Sequence, residues 1–257
     1  MRNVTLITDL GTRDYYNAVL KAKILHGSPN TQFIDISHHV AHHNILDAAF
    51  LCRSSYSHFP KGTIHVILVH AYYTFKSELL LYQHEGQFFI APNNGILSLV
   101  FDTIDMQSVR AIEMDKQRYS LIAFDRISHI IACIKNDLIL ELGKAADHID
   151  QRISLKPVTN KSEIRATIIH IDQYENVVTN VTREIFEKIG GGRQFELFYK
   201  NSDPLDRLSK NYSDVGFGDP VCYFNGAGYL EIAINSGKAS SLLGLYKNET
   251  VQLYFQS

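Results

Sequence analysis

Asp9 follows directly on the apolar residues 4–8, in the order Thr8-Asp9-Leu10-Gly11. A carboxylate at the carboxyl end of a parallel strand points into the crevice where such sheets bind ligands, and there it can accept both hydroxyls of a ribose. An aspartate that merely opens a turn explains the same residue, and both readings stand. Pro92-Asn93-Asn94-Gly95 is a second candidate, or else a turn with a left-handed asparagine. A third is Asp172-Gln173-Tyr174-Glu175-Asn176. In an extended segment Asp172, Tyr174 and Asn176 share one face and offer an anion, a stacking ring and an amide. That set suits an ammonium group and a purine base, and a solvated edge strand is the alternative. The run His38-His39-Val40-Ala41-His42-His43 has the donor type of a metal site. It lacks carboxylate or cysteine partners and the His-Glu-x-x-His spacing of a metal-binding helix, so no metal is expected, and the residues after His38 read as a surface loop.

These residues need elements to hold them. Residues 4–8 read as a first strand, 32–36 as a second and the charge-free, β-branched 63–69 as a buried parallel strand. Between them, residues 14–25 read as a helix with Tyr15, Val19, Ala22 and Leu25 on its inner face. Asn44 caps a second helix to residue 55, its apolar face carrying Ile45, Ala48, Ala49 and Cys52. A hairpin is expected from 79–83 and 87–90, with helices at 96–101 and 125–136. Strands alternating with helices predict a mostly parallel α/β domain over residues 1–155. Residues 156–162 are polar, contain Pro157 and read as a linker. Short strands at 164–171, 177–181, 194–199, 220–224, 229–234 and 251–255 then predict an all-β barrel domain over 162–257. The closing LYFQS is similar to part of an engineered protease site, yet the alternation of Val251, Leu253 and Phe255 suits a native last strand.

Composition narrows the partners. Of 257 residues, 45% are hydrophobic and 20% charged, which excludes a disordered or fibrous chain. The formal charge of -2 gives no basic field for a polyanion, so nucleic acid is not an expected partner. No apolar run reaches the ~18 residues of a membrane span, and Asp9 interrupts the first apolar stretch too early for a signal peptide. Cys52, Cys133 and Cys222 form no Cys-x-x-Cys pair and read as buried reduced thiols of a cytoplasmic protein.

Taken together, the segments resemble one family, the S-adenosylmethionine hydroxide adenosyltransferases, related to the S-adenosylmethionine-dependent fluorinase and chlorinase. The resemblance runs through Thr8-Asp9-Leu10-Gly11 with Asp14, Ile34-Asp35-Ile36-Ser37-His38, Phe59-Pro60-Lys61-Gly62-Thr63 and Ala91-Pro92-Asn93-Asn94-Gly95. It continues in Asp172-x-Tyr174-x-Asn176 and Gly228-Tyr229-Leu230-Glu231-Ile232-Ala233. It implies an α/β domain with a small β-barrel, a homotrimer, and S-adenosylmethionine as substrate or ligand between one subunit's first domain and the next subunit's barrel. By the same resemblance Asp9 would hold the ribose diol and Asp14 would help at the amino-acid end. Tyr174 and Asn176 would hold the adenine and Asp172 the methionine ammonium. Backbone N–H groups of Gly226 and Ala227 would meet the carboxylate, where some members use an arginine.

The family's reaction is displacement at the ribose 5′ carbon with methionine leaving. The sulfonium is already a good leaving group, so the protein need only align the nucleophile and strip its water. Hydrolytic members share an Asp-Pro-Gly loop after the third strand, a later Arg, and a His in Phe-His-Gly-Arg-Asp. This chain has His70-Ala71-Tyr72-Tyr73 at the first place, Ser77 beside Lys76 at the second and Ala123-Phe124-Asp125-Arg126 at the third. No small hydroxyl-bearing halide pocket stands near residues 121–124 either. His70 is the substitute base, or a histidine filling the space of the aspartate. Asp125 and Arg126 read as the start of a helix. Two functions follow: an adenosyl-binding protein that hydrolyses S-adenosylmethionine weakly, and a non-catalytic nucleoside or S-adenosylmethionine binding protein.

Overall fold

The computed structural model describes residues 2–71, 78–114, 121–200 and 203–256. They fall into two compact units, residues 1–153 and 154–257, with a separate sheet in each.

In the first unit the opening apolar run forms β1 (Arg2–Thr8). It is followed by α1 (Tyr16–Gly27), β2 (Thr31–Ser37), α2 (Ile45–Ser55) and β3 (Ile64–Leu68). Asn44 caps α2 as expected, its side chain accepting the Asp47 N–H at 3.2 Å. Next come β4 (Glu78–His84), β5 (Gln87–Pro92), α3 (Ile96–Val100), β6 (Val109–Glu113), α4 (Ile122–Lys135) and β7 (Lys144–Ala145). The sheet order is β2-β1-β3-β5-β4-β6-β7. The β2, β1, β3 and β5 strands run parallel, and β4, β6 and β7 extend the sheet antiparallel.

From β1 the chain moves outward to β2, then returns past β1 to β3. Leu20 and Ile24 of α1 join Phe124, Ile127 and Ile131 of α4 in one apolar cluster. Ala48, Ala49 and Cys52 of α2 join Ile96 and Val100 of α3 in another. The sheet is thus covered on both faces, and its order reverses between β1 and β3. A crevice outside the carboxyl ends of those two strands is the place where sheets of this kind take ligands.

Two local expectations need correction. The buried residues of α1 are Asn17, Leu20 and Ile24, while Tyr15 and Leu25 are exposed. Apolar residues surround this helix, so the sheet and α4 choose the inner face and its own pattern does not. The α4 helix begins at Ile122, earlier than 125, because Ala123 and Phe124 are drawn into the core.

The second unit holds β8 (Val158–Thr159), β9 (Glu163–Ile171), β10 (Val177–Thr182), α5 (Arg183–Gly190), β11 (Phe195–Phe198), β12 (Pro220–Phe224), β13 (Tyr229–Ile234), α6 (Ala239–Leu243) and β14 (Thr250–Phe255). The sheet is antiparallel, in the order β11-β14-β9-β10-β13-β12, and curls into a half-barrel. The long β9 makes this possible, pairing with β14 through residues 163–167 and with β10 through residues 168–171. Ile164, Ile168, Val177, Leu230, Ile232 and Leu253 line its inner side. The segment 156–162, expected as a linker, contributes β8 on the edge of β9. The α5 helix was not expected. Thr182 caps its start, Gly191 closes it in the left-handed region, and Ile185, Phe186 and Ile189 face the core. Among the described residues no helix is long and apolar enough to cross a membrane.

Candidate functional site

Asp9 is the first residue beyond β1, at the strand-order reversal. Its Oδ2 accepts the backbone N–H of His43 at 3.2 Å and of His70 at 3.2 Å. One carboxylate oxygen therefore joins the loop after β2 to the loop after β3. Among the described residues no donor is bonded to the other oxygen, Oδ1. Beside it the Thr8 hydroxyl meets His38 Nδ1 at 2.9 Å, and His38 Nε2 lies 3.2 Å from Asp35 Oδ1. Lys21 completes this row at 2.6 Å from Asp35 Oδ2. Burial pushes the His38 imidazole below its ordinary value, against the opposing pull of Asp35. His38 thus belongs to the packing under the β1 end. Its neighbour His39 meets the Thr12 hydroxyl at 3.2 Å.

His70 and His43 both hold positive φ, 54° and 65°, an uncommon conformation for residues other than glycine. Their rings lie 4.8 Å apart between centroids. Burial lowers the His70 pKa; His43 pushes the same way, Asp9 opposes and Arg152 adds to the lowering. An uncharged imidazole is thereby favoured next to Asp9. Among the described residues no three His, Cys, Asp or Glu side chains gather as metal ligands.

The 92–95 turn supports the same strand ends. Asn94 is buried, and its Nδ2 donates to the carbonyls of Val69 at 3.1 Å and His70 at 3.3 Å. Asn94 Oδ1 accepts the Ile96 N–H at 3.2 Å. The left-handed residue here is Gly95, with φ 94°, and not an asparagine. An added Cβ at Gly95 would stand 2.2 Å from Arg152 Cγ, so both space and backbone require glycine. Asn93 Nδ2 donates to Glu78 Oε1 at 2.6 Å, and Asn93 Oδ1 accepts the Asp150 N–H at 2.8 Å.

In the second unit, residues 172–176 are a tight turn between β9 and β10, where an extended segment was expected. Asp172 Oδ1 accepts the N–H groups of Tyr174 at 2.9 Å and Asn176 at 2.8 Å. Glu175 takes a positive φ of 64°, which breaks the alternation. The aspartate side chain thus folds the backbone around itself, an outcome that competes with strand wherever Asp precedes polar residues. Tyr174 is 77% exposed and Asn176 only 4%. Glu175 binds Lys238 at 2.8 Å and the Ser241 N–H at 3.2 Å, tying the turn to α6. The Lys238 hydrogen bond holds the Glu175 carboxyl below its usual range.

A polar chain absent from the sequence reading runs onward from this turn. Asn176 Nδ2 donates to Asp172 Oδ2 at 3.1 Å and to the Tyr212 hydroxyl at 3.2 Å. Tyr212 and Tyr223 hydroxyls are 2.7 Å apart, and Tyr223 donates to the buried Glu231. Burial, then the hydrogen bond to Glu231, pushes the Tyr223 phenol far up. Asn225 Nδ2 reaches Glu231 Oε2 at 2.9 Å, while Asn225 Oδ1 accepts the N–H groups of Ala227 at 3.0 Å and Tyr229 at 3.1 Å. The 172–176 turn and the 225–229 turn, which carries Gly226 and Ala227, are thus linked through Tyr212, Tyr223 and Glu231. A buried Glu within Gly228-Tyr229-Leu230-Glu231 was the available signal, since a buried carboxylate demands partners.

Other expected residues fall elsewhere. Asp14 lies exposed just ahead of α1. Ala123 is fully buried in α4, and Asp125 pairs with Lys23 on its surface. Tyr72, Tyr73, Lys76 and Ser77 lie outside the described residues. Cys52, Cys133 and Cys222 are free and buried, and burial pushes the Cys222 thiol up to about 12.

Comparison with known proteins bears on both units. The SAM hydroxide adenosyltransferase N-terminal domain matches residues 4–141, and the C-terminal domain of the same family matches residues 166–252. The (R)-S-adenosyl-L-methionine hydrolase of Methanocaldococcus jannaschii is 24% identical over 98% of this chain and 95% of its own length. A fluorinase of an Actinoplanes species is 26% identical over 91% of each chain. Among solved structures, a conserved protein from Thermotoga maritima shares the fold with a TM-score of 0.84, at 24% identity over 99% of this chain and 100% of its own.

Proposed function

The chain belongs to the S-adenosylmethionine hydroxide adenosyltransferase family, and we propose that it binds S-adenosylmethionine and hydrolyses it slowly to adenosine and methionine. The observation that carries this reading is the Asp9 carboxylate at the strand-order reversal, bonded to the backbone of His70. In it, Asp9 Oδ1 accepts a ribose hydroxyl, with Asp14 near the amino-acid end. Asp172 takes the methionine ammonium, Tyr174 stacks on the adenine and Asn176 hydrogen-bonds its edge. Because Ala227 N–H already serves Asn225, the carboxylate contact falls first to Gly226.

For hydrolysis, His70 removes a proton from water as the water oxygen bonds to the 5′ carbon. The carbon–sulfur bond breaks and its electron pair leaves with methionine as a neutral thioether. No acid is needed for that leaving group, so a single neutral imidazole suffices. The rest of the rate comes from alignment and exclusion of bulk water. A second reading, a binding protein without turnover, is favoured by Ala123, which has no titratable atom where hydrolytic members are expected to carry a histidine. A homotrimer is proposed with either reading, and light scattering that returned a monomer with full ligand affinity would overturn it. The buried free thiols suit a reducing cytoplasm.

Incubation with S-adenosylmethionine, followed by chromatography for adenosine and methionine, tests the function. Slow release that depends on His70 supports hydrolysis. Calorimetric binding without release supports the second reading, and neither binding nor release defeats both.

A further inference from the structure

Arg152 is the last cation of the first unit, and its contacts lead the side chain toward His70 while leaving its charge unused. Its backbone N–H donates to Ser98 Oγ at 2.8 Å, and that hydroxyl donates to the Gly95 carbonyl at 2.8 Å. The stem then crosses Gly95, where only the absence of a side chain leaves room for Arg152 Cγ. Arg152 Nε donates to the Asn94 carbonyl at 3.4 Å, and the Asn94 amide donates in turn to the His70 carbonyl at 3.3 Å. The guanidinium is thus one residue removed from His70. Among the described residues it makes no ion pair, whereas Lys21, Lys23 and Arg53 of the same unit are each matched by an aspartate. Its charge also reaches the His70 imidazole, where it opposes protonation.

The proposed ligand gives this placement its meaning. In that reading Asp9 holds the ribose diol and His70 stands beside the 5′ carbon, so the 5′ substituent lies on the Arg152 side. S-adenosylmethionine brings a sulfonium to that point, and two cations repel. A phosphate on the same carbon brings the opposite charge, with oxygen acceptors that suit the guanidinium fork. Asp9 does not oppose it closely, since the diol and the 5′ carbon are at opposite ends of the ribose. We propose that Arg152 makes this end of the crevice a phosphate subsite, and that the chain binds nucleoside 5′-monophosphates in the place of S-adenosylmethionine. The inference rests on the proposed ribose contact of Asp9 and goes beyond it in naming a second ligand class. A monophosphate carries no sulfonium leaving group, so it occupies the crevice as a competitor of S-adenosylmethionine.

Calorimetry on the full chain tests this, with adenosine, adenosine 5′-monophosphate, S-adenosylmethionine and inorganic phosphate as probes. The wild type is expected to bind the monophosphate ~10–100-fold more tightly than adenosine, the range of a charge-assisted hydrogen bond. Arg152→Gln keeps the stem and the backbone contacts and removes the charge. It should bring that ratio below about 3, leave adenosine unchanged and leave S-adenosylmethionine as tight as before or tighter. Arg152→Lys keeps the charge and should keep part of the preference. Arg152 is exposed, so both variants keep the fold, as a thermal melt will verify. General loosening would weaken all the adenosyl ligands alike, which separates a phosphate contact from a structural role. A wild type that binds the monophosphate no more tightly than adenosine overturns the inference alone, and so does a preference that survives in Arg152→Gln. Inorganic phosphate binding as tightly as the monophosphate assigns the subsite to free phosphate and overturns the nucleotide claim. Failure of adenosine, the monophosphate and S-adenosylmethionine all to bind overturns the underlying reading and the inference with it.

Discussion

Asp9 Oδ2 stands 3.2 Å from the backbone nitrogen of His70, across the gap between the ends of β1 and β3. The same atom also holds the His43 N–H at 3.2 Å. A structural clamp and the proposed ligand acceptor thus share one carboxylate, and substitution separates the two roles.

Asp9→Ala should lower adenosyl-ligand affinity at least ~100-fold and destabilise the first unit by about 2–4 kcal/mol, since two charge-assisted hydrogen bonds are lost. Asp9→Asn keeps one acceptor oxygen for the clamp. It should recover most of the stability and little of the affinity. Calorimetry and urea unfolding of both variants measure the split, and equal recovery of both properties would count against Asp9 as the ribose acceptor.

Turnover should rise with pH to a plateau, with the midpoint of the rise below the ordinary histidine value, because burial and then His43 lower the His70 pKa. The unprotonated ring is the active form, so the rate falls as pH drops through that lowered pKa. His70→Ala should cost ~100-fold in rate and remove this limb of the profile. Efficient hydrolysis in the Ala variant, with the limb unchanged, would place the reaction centre elsewhere.

Asn94→Ala should destabilise the chain by about 1–3 kcal/mol, since the buried Val69 carbonyl and the partly buried His70 carbonyl lose their donor. The loop carrying His70 loses a support at the same time. Ligand affinity is expected to fall several-fold beyond what the loss of folded protein explains. Titration well below the melting temperature isolates that second effect.

His65 gives the fold its own acid sensitivity. It is buried on β3, with Nδ1 2.8 Å from the Thr5 hydroxyl and Nε2 3.2 Å from Gln87 Oε1. Burial lowers its pKa to about 4 in the folded chain, whereas the unfolded chain titrates near 6.5. As pH falls below about 6.5 the unfolded state takes the proton first, so stability drops until about pH 4 and is flat for this group below that. The loss amounts to about 3 kcal/mol. Urea unfolding at pH 7, 5 and 4 measures it, and His65→Gln should flatten the slope over that window.

Elements with a strong internal pattern were legible from the residues alone. The charge-free run around Val66 and the capped helix after Asn44 needed no neighbours to be recognised. Where an element's face or conformation is chosen from outside, the residues misled. The inner face of α1 is set by α4, and the Asp172 side chain turns an alternating segment into a loop. The link from Asn176 to Glu231 joins residues far apart in the chain, and no local spacing marks it. The place of Asp9 at the end of β1 was legible from the apolar run before it. Its clamp on His43 and His70 was not, because backbone N–H groups leave no trace in residue type.

That clamp also bears on how the site can be rebuilt. Asp9 grips main-chain nitrogen atoms at 43 and 70, so the anchorage is indifferent to which side chains those positions carry. The constraint that remains is conformational: both residues sit at positive φ, where Gly, Asn, Asp and His are tolerated best. A small library drawn from those residues can therefore exchange the side chains at both positions while the frame stays fixed. Positions 43 and 70 form an addressable pair, through which different reacting groups can be tried on one scaffold.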